Sequence, residues 1–390
     1  MSVVSIKMIK KVRVLKFLWL GLLVCALLSA SEGNVRAADA KKTGPHVVKV
    51  ACGSLHNLAL TKEGTVWTWG GGLPGRVYPT PTLVSGLTNV IEIAAGSSHN
   101  IVLKKDGTVW TWGSNSEGVL GDGTKYNKTA PTRVGALTNV IDIAAGSFHN
   151  IALKNDGTVW AWGANWDGQL GTGEHSDQHV PVQVTGLTDI RAVAVGDHHS
   201  IALKSDGTVW AWGDNKNGQL GDGTNTYDCI TPAIIRDLSG VIAIDAGCGF
   251  NGYTVAVKND GTAWACGSNE YGQLGDGTRK DRYRPVQVIS VTDLTAIAAG
   301  RFHTVALRKD GTVWTWGFNE FGQLGEGTND DKRIPVRVNG LTDIVYIDAG
   351  ALHTVVVKGD GTVWAWGQNK LQLGDGTEIN QNRPILVSFK

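Results

Sequence analysis

The sequence predicts an all-β fold, a seven-bladed β-propeller built from four-stranded antiparallel blades. Three observations carry that prediction. A ten-residue stretch, KKDGTVWTWG at Lys104–Gly113, returns seven times along the 390 residues. The glycines opening its Gly-Thr pair are Gly64, Gly107, Gly157, Gly207, Gly261, Gly311 and Gly361. Each repeat holds four short apolar runs separated by turn residues. The first and last copies are as tryptophan-rich as the middle ones, so neither end is a polar cap. An open stack of repeats needs such caps and a closed ring does not.

Within a repeat, Pro181–Thr224 serves as the type. Pro-Val-Gln-Val is strand D, Ile-Arg-Ala-Val-Ala-Val strand A, Ser-Ile-Ala-Leu-Lys strand B and Thr-Val-Trp-Ala-Trp strand C. Ser-Asp-Gly between B and C offers the positive φ of a tight hairpin. Trp110 and Trp112 are two apart and share one strand face, with Val109 and Thr111 on the other. The motif places 13 such indoles, each with roughly 150–250 Å² to bury, so they are core first. No run keeps a 3.6-residue period, and no helix is expected. The chain opens on an A strand (Val47–Ala51) and ends on a D strand (Pro384–Val387). With blades grouped D-A-B-C, the last strand would complete the first blade and shut the ring by pairing N- and C-terminal strands.

Residues 1–40 stand apart as a signal peptide and short linker, ahead of a propeller over 41–390. Lys7, Lys10, Lys11, Arg13 and Lys16 precede the apolar run Phe17–Leu28, and small-residue triplets end at Ala37 and Ala40. Twelve apolar residues are short for a membrane span, so the reading is a secreted protein with no membrane partner. Residues 1–37 carry a net charge of +5, which leaves the remainder near −4. An acidic chain without a lysine or arginine cluster makes a poor nucleic-acid binder.

The pattern G-x-x-H…L…D-G-x-V-x-x-W-G…N-x-x-G-Q-L-G, seven times over Val47–Phe389, resembles the regulator-of-chromosome-condensation repeat family. That resemblance implies a seven-bladed propeller. The eukaryotic namesake is a nuclear exchange factor for a small GTPase, but this chain has an export signal and no long wedge-like insertion. It looks more similar to secreted bacterial members, among them the propeller-type β-lactamase inhibitor, which grips its target with aromatic side chains on one face. Three departures stand out. Repeat 1 replaces its loop with GGGLPGRVYPTP (Gly70–Pro81). Repeat 5 inserts residues before strand B and has Tyr253 for histidine and Cys266 for tryptophan. Repeat 7 is one residue short at its loop.

Chemistry-bearing residues are then weighed one set at a time. His56, His99, His149, His199, His303 and His353 recur at the start of strand B, too far apart to share one metal ion, and read as structural hydrogen bonders. Glu174, His175, Asp177 and His179 read as a polar loop, and Gly-Asp-Gly-Thr as turn chemistry with too few carboxylates for calcium. Gly70, Gly72 and Gly75 match a dinucleotide fingerprint by letter only, since Pro79 and Pro81 preclude the helix. No catalytic constellation or cofactor motif appears. The better lead is a rim where A–B turns and C–D loops open together. It would carry Phe148, His198, Phe250 and Phe302 from the turns and Trp166, Tyr271, Phe318 and Phe321 from the loops. Aromatic anchors on exposed turns concentrate in recognition sites. The expected function is a monomeric, non-catalytic binder of another protein. An enzyme acting on a sugar or peptide at the channel mouth is the alternative, and GTPase nucleotide exchange is third. In the export pathway cysteines can pair. A regular D–A ladder about Asp237–Gly240 would set Cys229 opposite Cys248, within disulfide reach, with Cys266 a strand further away.

Overall fold

The computed structural model describes residues 44–135, 137–249 and 251–389. The expected signal segment and Phe250 lie outside them. Twenty-eight strands form seven four-stranded antiparallel sheets, and the described residues contain no helix. The blades span 47–83, 90–133, 140–183, 190–234, 241–287, 294–337 and 344–387. In blade 4 strand A is Ile190–Val195, B His199–Lys204, C Val209–Asp214 and D Asp228–Ile234. The seven A strands line a central channel of about 140 Å³. Their paired small residues (Ala94-Ala95, Ala144-Ala145, Ala298-Ala299) let seven strands converge. Strand D is the outer edge, where a proline such as Pro181 or Pro335 removes no ladder hydrogen bond.

The structure corrects the grouping of strands. Every blade is A-B-C-D in chain order, so Gln381–Val387 completes the seventh blade, not the first. Among the described residues no sheet pairs the first strand with the last. The Gly-Leu-Thr-Asp link is not a hairpin turn. It crosses from the outer edge of one blade to the channel strand of the next. On the way it buries a leucine (Leu87, Leu137, Leu187) and hydrogen-bonds the preceding Asp-Gly turn, as Val140 N does to Gly107 O. That contact is why the turn keeps glycine. Gly107 has φ +79°, and a Cβ there would lie 3.0 Å from Asn139 N.

The expected disulfide fails for the same reason. Cys229 sits on the outer strand of blade 4 and Cys248 just after the channel strand of blade 5, so no ladder joins them. Both are free thiols, as are Cys52 and Cys266.

The core is not one mass but seven. A cluster of buried apolar side chains fills each cleft between neighbouring blades. Trp212, for example, packs on Ile151, Leu153, Leu170 and Val184 of blade 3. At roughly 25 cal/mol per Å², each such indole contributes about 4–6 kcal/mol of transfer free energy. The first tryptophan of each pair is half-buried, with a lysine over its ring in four blades; Lys104 Nζ lies 4.3 Å from the Trp110 centroid.

The recurring histidines are structural, and their hydrogen bonds run between blades. Each donates from Nε2 to a polar side chain on strand B of the next blade. His99 reaches Asn150 Oδ1 at 2.8 Å, His149 reaches Ser200 Oγ at 2.8 Å and His303 reaches Thr354 Oγ1 at 3.0 Å. The acceptors fix the tautomer. Asn150 Nδ2 donates to Val119 O, so its Oδ1 must accept, and the proton belongs on Nε2. Ring closure repeats the pattern. His353 reaches Asn57 Oδ1 at 2.8 Å, and Trp69 Nε1 donates to Gln372 O at 2.9 Å. Phe389 caps both Trp67 and Trp69, edge-on at 5.7 Å.

Burial pushes these imidazoles down, to about 4 for His56 and His99 and about 3 for His149, His199, His303 and His353. The unfolded chain, near 6.5, therefore binds more protons below that pH, and stability falls as pH drops toward the folded values. Urea unfolding should be nearly flat in pH above about 7 with respect to these groups. Below it, each histidine should cost up to about 1.4 kcal/mol per pH unit. His303→Gln should flatten the slope by about one proton's worth. Equal slopes in the two proteins would show that His303 is not buried neutral. A second measurement concerns the thiols: peptide mapping without reduction should recover Cys229 and Cys248 unlinked.

Candidate functional site

The A–B turns and C–D loops do open on one rim, and the side chains they present divide it into two sectors. The first turn residue is Ser54, Ser97 and Ser147 in blades 1 to 3, and Ser54 Oγ lies 2.9 Å from Ser97 Oγ. From blade 3 onward the second turn residue becomes Phe148, His198 and, in blade 6, Phe302.

Two aromatic clusters result. In the first, Phe148 lies 5.3 Å from Trp166 and 5.4 Å from His198, with Trp166 and His198 at 6.4 Å. Trp166, a loop residue outside the repeat pairs, is 47% exposed, the most accessible tryptophan among the described residues. His198 is oriented by Asp167, whose Oδ2 accepts from Nδ1 at 2.7 Å. Lys216 adds a 3.2 Å contact to the other oxygen. The His198 hydrogen bond holds the Asp167 carboxyl below its ordinary range, and burial raises the nearby Asp214. In the second cluster Tyr271 stands 5.0 Å from Phe302 and 4.8 Å from Phe318, with Phe318 and Phe321 at 6.1 Å. Arg301 stacks over Phe302 at 5.1 Å. All four rings are partly exposed.

Seven of the eight predicted rim residues thus fall into two clusters, and Phe250 is outside the described residues. Asp167, Lys216 and Arg301 were missed. The first two sit at variable loop positions beside the Asn-x-x-Gly frame, and Arg301 opens an A–B turn; comparing each position across repeats would have exposed them.

The channel mouth is chemically different. Asp197, Asp245 and Asp348 face it, and each accepts a backbone N–H from the next blade: Gly249 at 2.5 Å, Ala299 at 2.9 Å and Cys52 at 2.8 Å. These carboxylates occupy themselves with strand edges that point into the channel. Burial pushes the Cys52 and Cys248 thiols well up. Among the described residues no histidine lines the channel, and no group of three ligating side chains could hold a metal. The Glu174–His179 loop is held together instead by Asp177, which accepts from Asn165 N, and by the 2.5 Å pair His175–Asp228. The Gly-Asp-Gly-Thr aspartate accepts from the threonine two residues on, N and Oγ1 both, as at Asp122 and Thr124.

The RCC1-like domain signature matches residues 71–390, and the regulator of chromosome condensation (RCC1) repeat matches 47–72. The chain belongs to the RCC1-like domain family. Among solved RCC1-like propellers, it is similar to Prp20p from Saccharomyces cerevisiae, described with binding properties to Gsp1p and histones. That likeness has 26% identity and a TM-score of 0.70, over 80% of this chain and 82% of that one. The yeast RCC1 (Prp20) structure with Kap60 bound gives 22% identity and a TM-score of 0.73, over 92% and 91%. Human WBSCR16 gives 24% and 0.71, over 80% and 86%. A 60-residue stretch is 42% identical to the human E3 ubiquitin-protein ligase HERC2. It is 14% of this chain and 1% of that much longer protein.

Proposed function

We propose that this RCC1-like propeller is a secreted, non-catalytic recognition module that binds another protein through the aromatic sector of its rim. The carrying observation is that Phe148 and Trp166, packed on the buried His198, and Tyr271, Phe302, Phe318 and Phe321 gather as partly exposed rings on adjoining blades. Repeat geometry does not demand aromatics at the turns, since blades 1 and 2 fold with Leu55 and Ser98 at the position of Phe148. Partly exposed aromatics flanked by paired charges are the composition of binding hot spots. Similar propellers are described with protein partners, which supports the class of ligand. Export is read from residues 1–40, and the favoured target is a secreted or cell-surface enzyme held in the manner of an inhibitor. The near −4 charge beyond residue 37 and the absence of a basic face in the sequence favour protein over nucleic acid.

The experiment is capture from the organism's own culture medium with the mature protein as bait. Replacing Trp166, Tyr271, Phe302 and Phe321 together by alanine should abolish capture, because single hot-spot anchors are worth about 2 kcal/mol or more. The melting temperature should move by only a few degrees, about 2–4 °C per kcal/mol lost. Undiminished capture by the folded variant would sink the rim as the binding face. Collapse of the variant would reassign these rings to the core.

A further inference from the structure

Six of the seven junctions between blades are filled by the same piece of chain. The C–D loop of one blade lies on the next and buries a leucine: Leu120, Leu170, Leu220, Leu274, Leu324 and Leu373. The carbonyl just before that leucine accepts from the neighbouring blade. Val119 O takes Trp162 Nε1 at 2.8 Å and Asn150 Nδ2 at 2.6 Å. A glycine further on donates to the neighbour's outer strand, as Gly123 N does to His179 O at 2.9 Å.

The junction between blades 1 and 2 has no such loop. Gly70–Pro81 forms a tight hairpin there, with Leu73 paired to Arg76. Trp112, Asn100 and Thr129 hold the places of Trp162, Asn150 and His179. Asn100 is fully buried, and its Nδ2 has no hydrogen-bond partner, whereas Asn57 and Asn150 both find their carbonyl. A buried unmade donor costs roughly 1–3 kcal/mol, so this is an address for an acceptor. Val84 is half-buried, although its counterparts Val134, Val184, Val288 and Val338 are sealed. A cavity of about 180 Å³ opens between Leu73, Arg76, Val84, Trp112 and Lys128–Pro131, far more than the roughly 10–15 Å³ that one water requires.

We propose that this groove is a binding site for a glycine-flanked leucine segment of a partner protein, entering in the conformation of the missing loop. The molecule itself shows the occupant six times. The segment's carbonyl before leucine meets Asn100 Nδ2 and Trp112 Nε1, the leucine covers Val84 and Trp112, and the glycine N–H three residues on meets Thr129 O. None of the aromatic rim residues takes part.

The probe is a synthetic peptide, NKNGQLGDGT, copying Asn215–Thr224, added to the intact propeller. We expect saturable binding at or below about 1 mM, read by polarisation of labelled peptide, with the Trp112 indole N–H shifting in the nitrogen-15 spectrum. An aspartate in place of the peptide leucine, and Trp112→Phe in the protein, should each weaken binding about tenfold. Trp162→Phe, at a filled junction, and the rim alanine variant should leave it unchanged. Val84→Trp, which fills the groove from a half-exposed position, should abolish it and provides a second folded variant. No saturable binding overturns the proposal, and so does binding indifferent to Trp112→Phe and to the peptide leucine. Self-association lost on Trp112→Phe would also overturn it, by assigning the groove to a second copy of the chain.

Discussion

At six of the seven junctions one backbone carbonyl ties neighbouring blades together. At the residue before the loop leucine, a C=O accepts the strand-B hydroxyl or amide of the next blade and, everywhere but at Cys266, its buried indole as well. Thus Gln273 O takes Trp316 at 2.8 Å and Thr304 at 2.8 Å, and Gln323 O takes Trp366 and Thr354 at 2.9 Å each. Where the previous blade has its histidine, as His303 does for Thr354, the same strand-B group then accepts from that imidazole. A tryptophan N–H buried without an acceptor is costly, so the loop carbonyl removes a penalty that would otherwise offset the large apolar area the indole buries. Packing and polar satisfaction therefore come as one unit, repeated around the ring.

That coupling explains what blade 5 changes and what it keeps. Tyr253 stands where the histidine should be, and its hydroxyl donates straight to the next blade's backbone, His303 O at 2.6 Å. Cys266 stands where the second tryptophan should be and still points at Gln219 O, at 3.6 Å. Cys266 keeps the acceptor and changes the shape, while Tyr253 keeps the link to the next blade and changes the acceptor. It also explains closure. His46–Val47 packs on the Asp-Gly turn of blade 7 just as the internal crossings do, with Val47 N on Gly361 O at 3.2 Å. The ring needs no strand shared between first and last blades, because the junction chemistry alone spans the gap.

Much of this was legible in the residues. Asp-Gly hairpins, the tryptophan pairs and the sevenfold return sufficed for the fold and the blade count. The rim was legible too, because strands alternate in direction and bring A–B turns and C–D loops to one side. The grouping of strands was not. A short Gly-Leu-Thr-Asp link looks the same whether it joins two strands of a sheet or crosses between sheets. The useful signal was the Ala-Ala ending of strand A, which suits seven strands meeting at an axis, set against the proline of strand D, which suits an outer edge. The Cys229–Cys248 pairing fell with that grouping, since it borrowed a ladder that does not exist. The rim's charged members lay at positions whose residue type changes from repeat to repeat, so only a position-by-position comparison of the repeats marks them.

Repetition makes the departures informative. In a ring whose junctions obey one rule, a side chain that the rule does not use is free to vary without cost to the fold. The second A–B turn residue is such a position: Ser98 and Phe148 sit in equally regular turns. The loop residue before glycine is another, where Glu117, Asp167, Asn217, Tyr271 and Phe321 alternate while the Asn that opens each loop stays, holding its own loop by hydrogen bonds such as Asn269 Nδ2 to Asp276 at 3.0 Å. Phe148, His198, Phe302, Tyr271 and Phe321 are written at these unconstrained positions, so they add a surface without altering the scaffold. The blade 1–2 junction departs in the opposite way. There the rule itself is broken, a constrained donor is left over at Asn100, and the defect is confined by intact junctions on either side. Free positions that accumulate aromatics and constrained positions that lose a partner are two distinct routes by which one repeat yields two different kinds of surface.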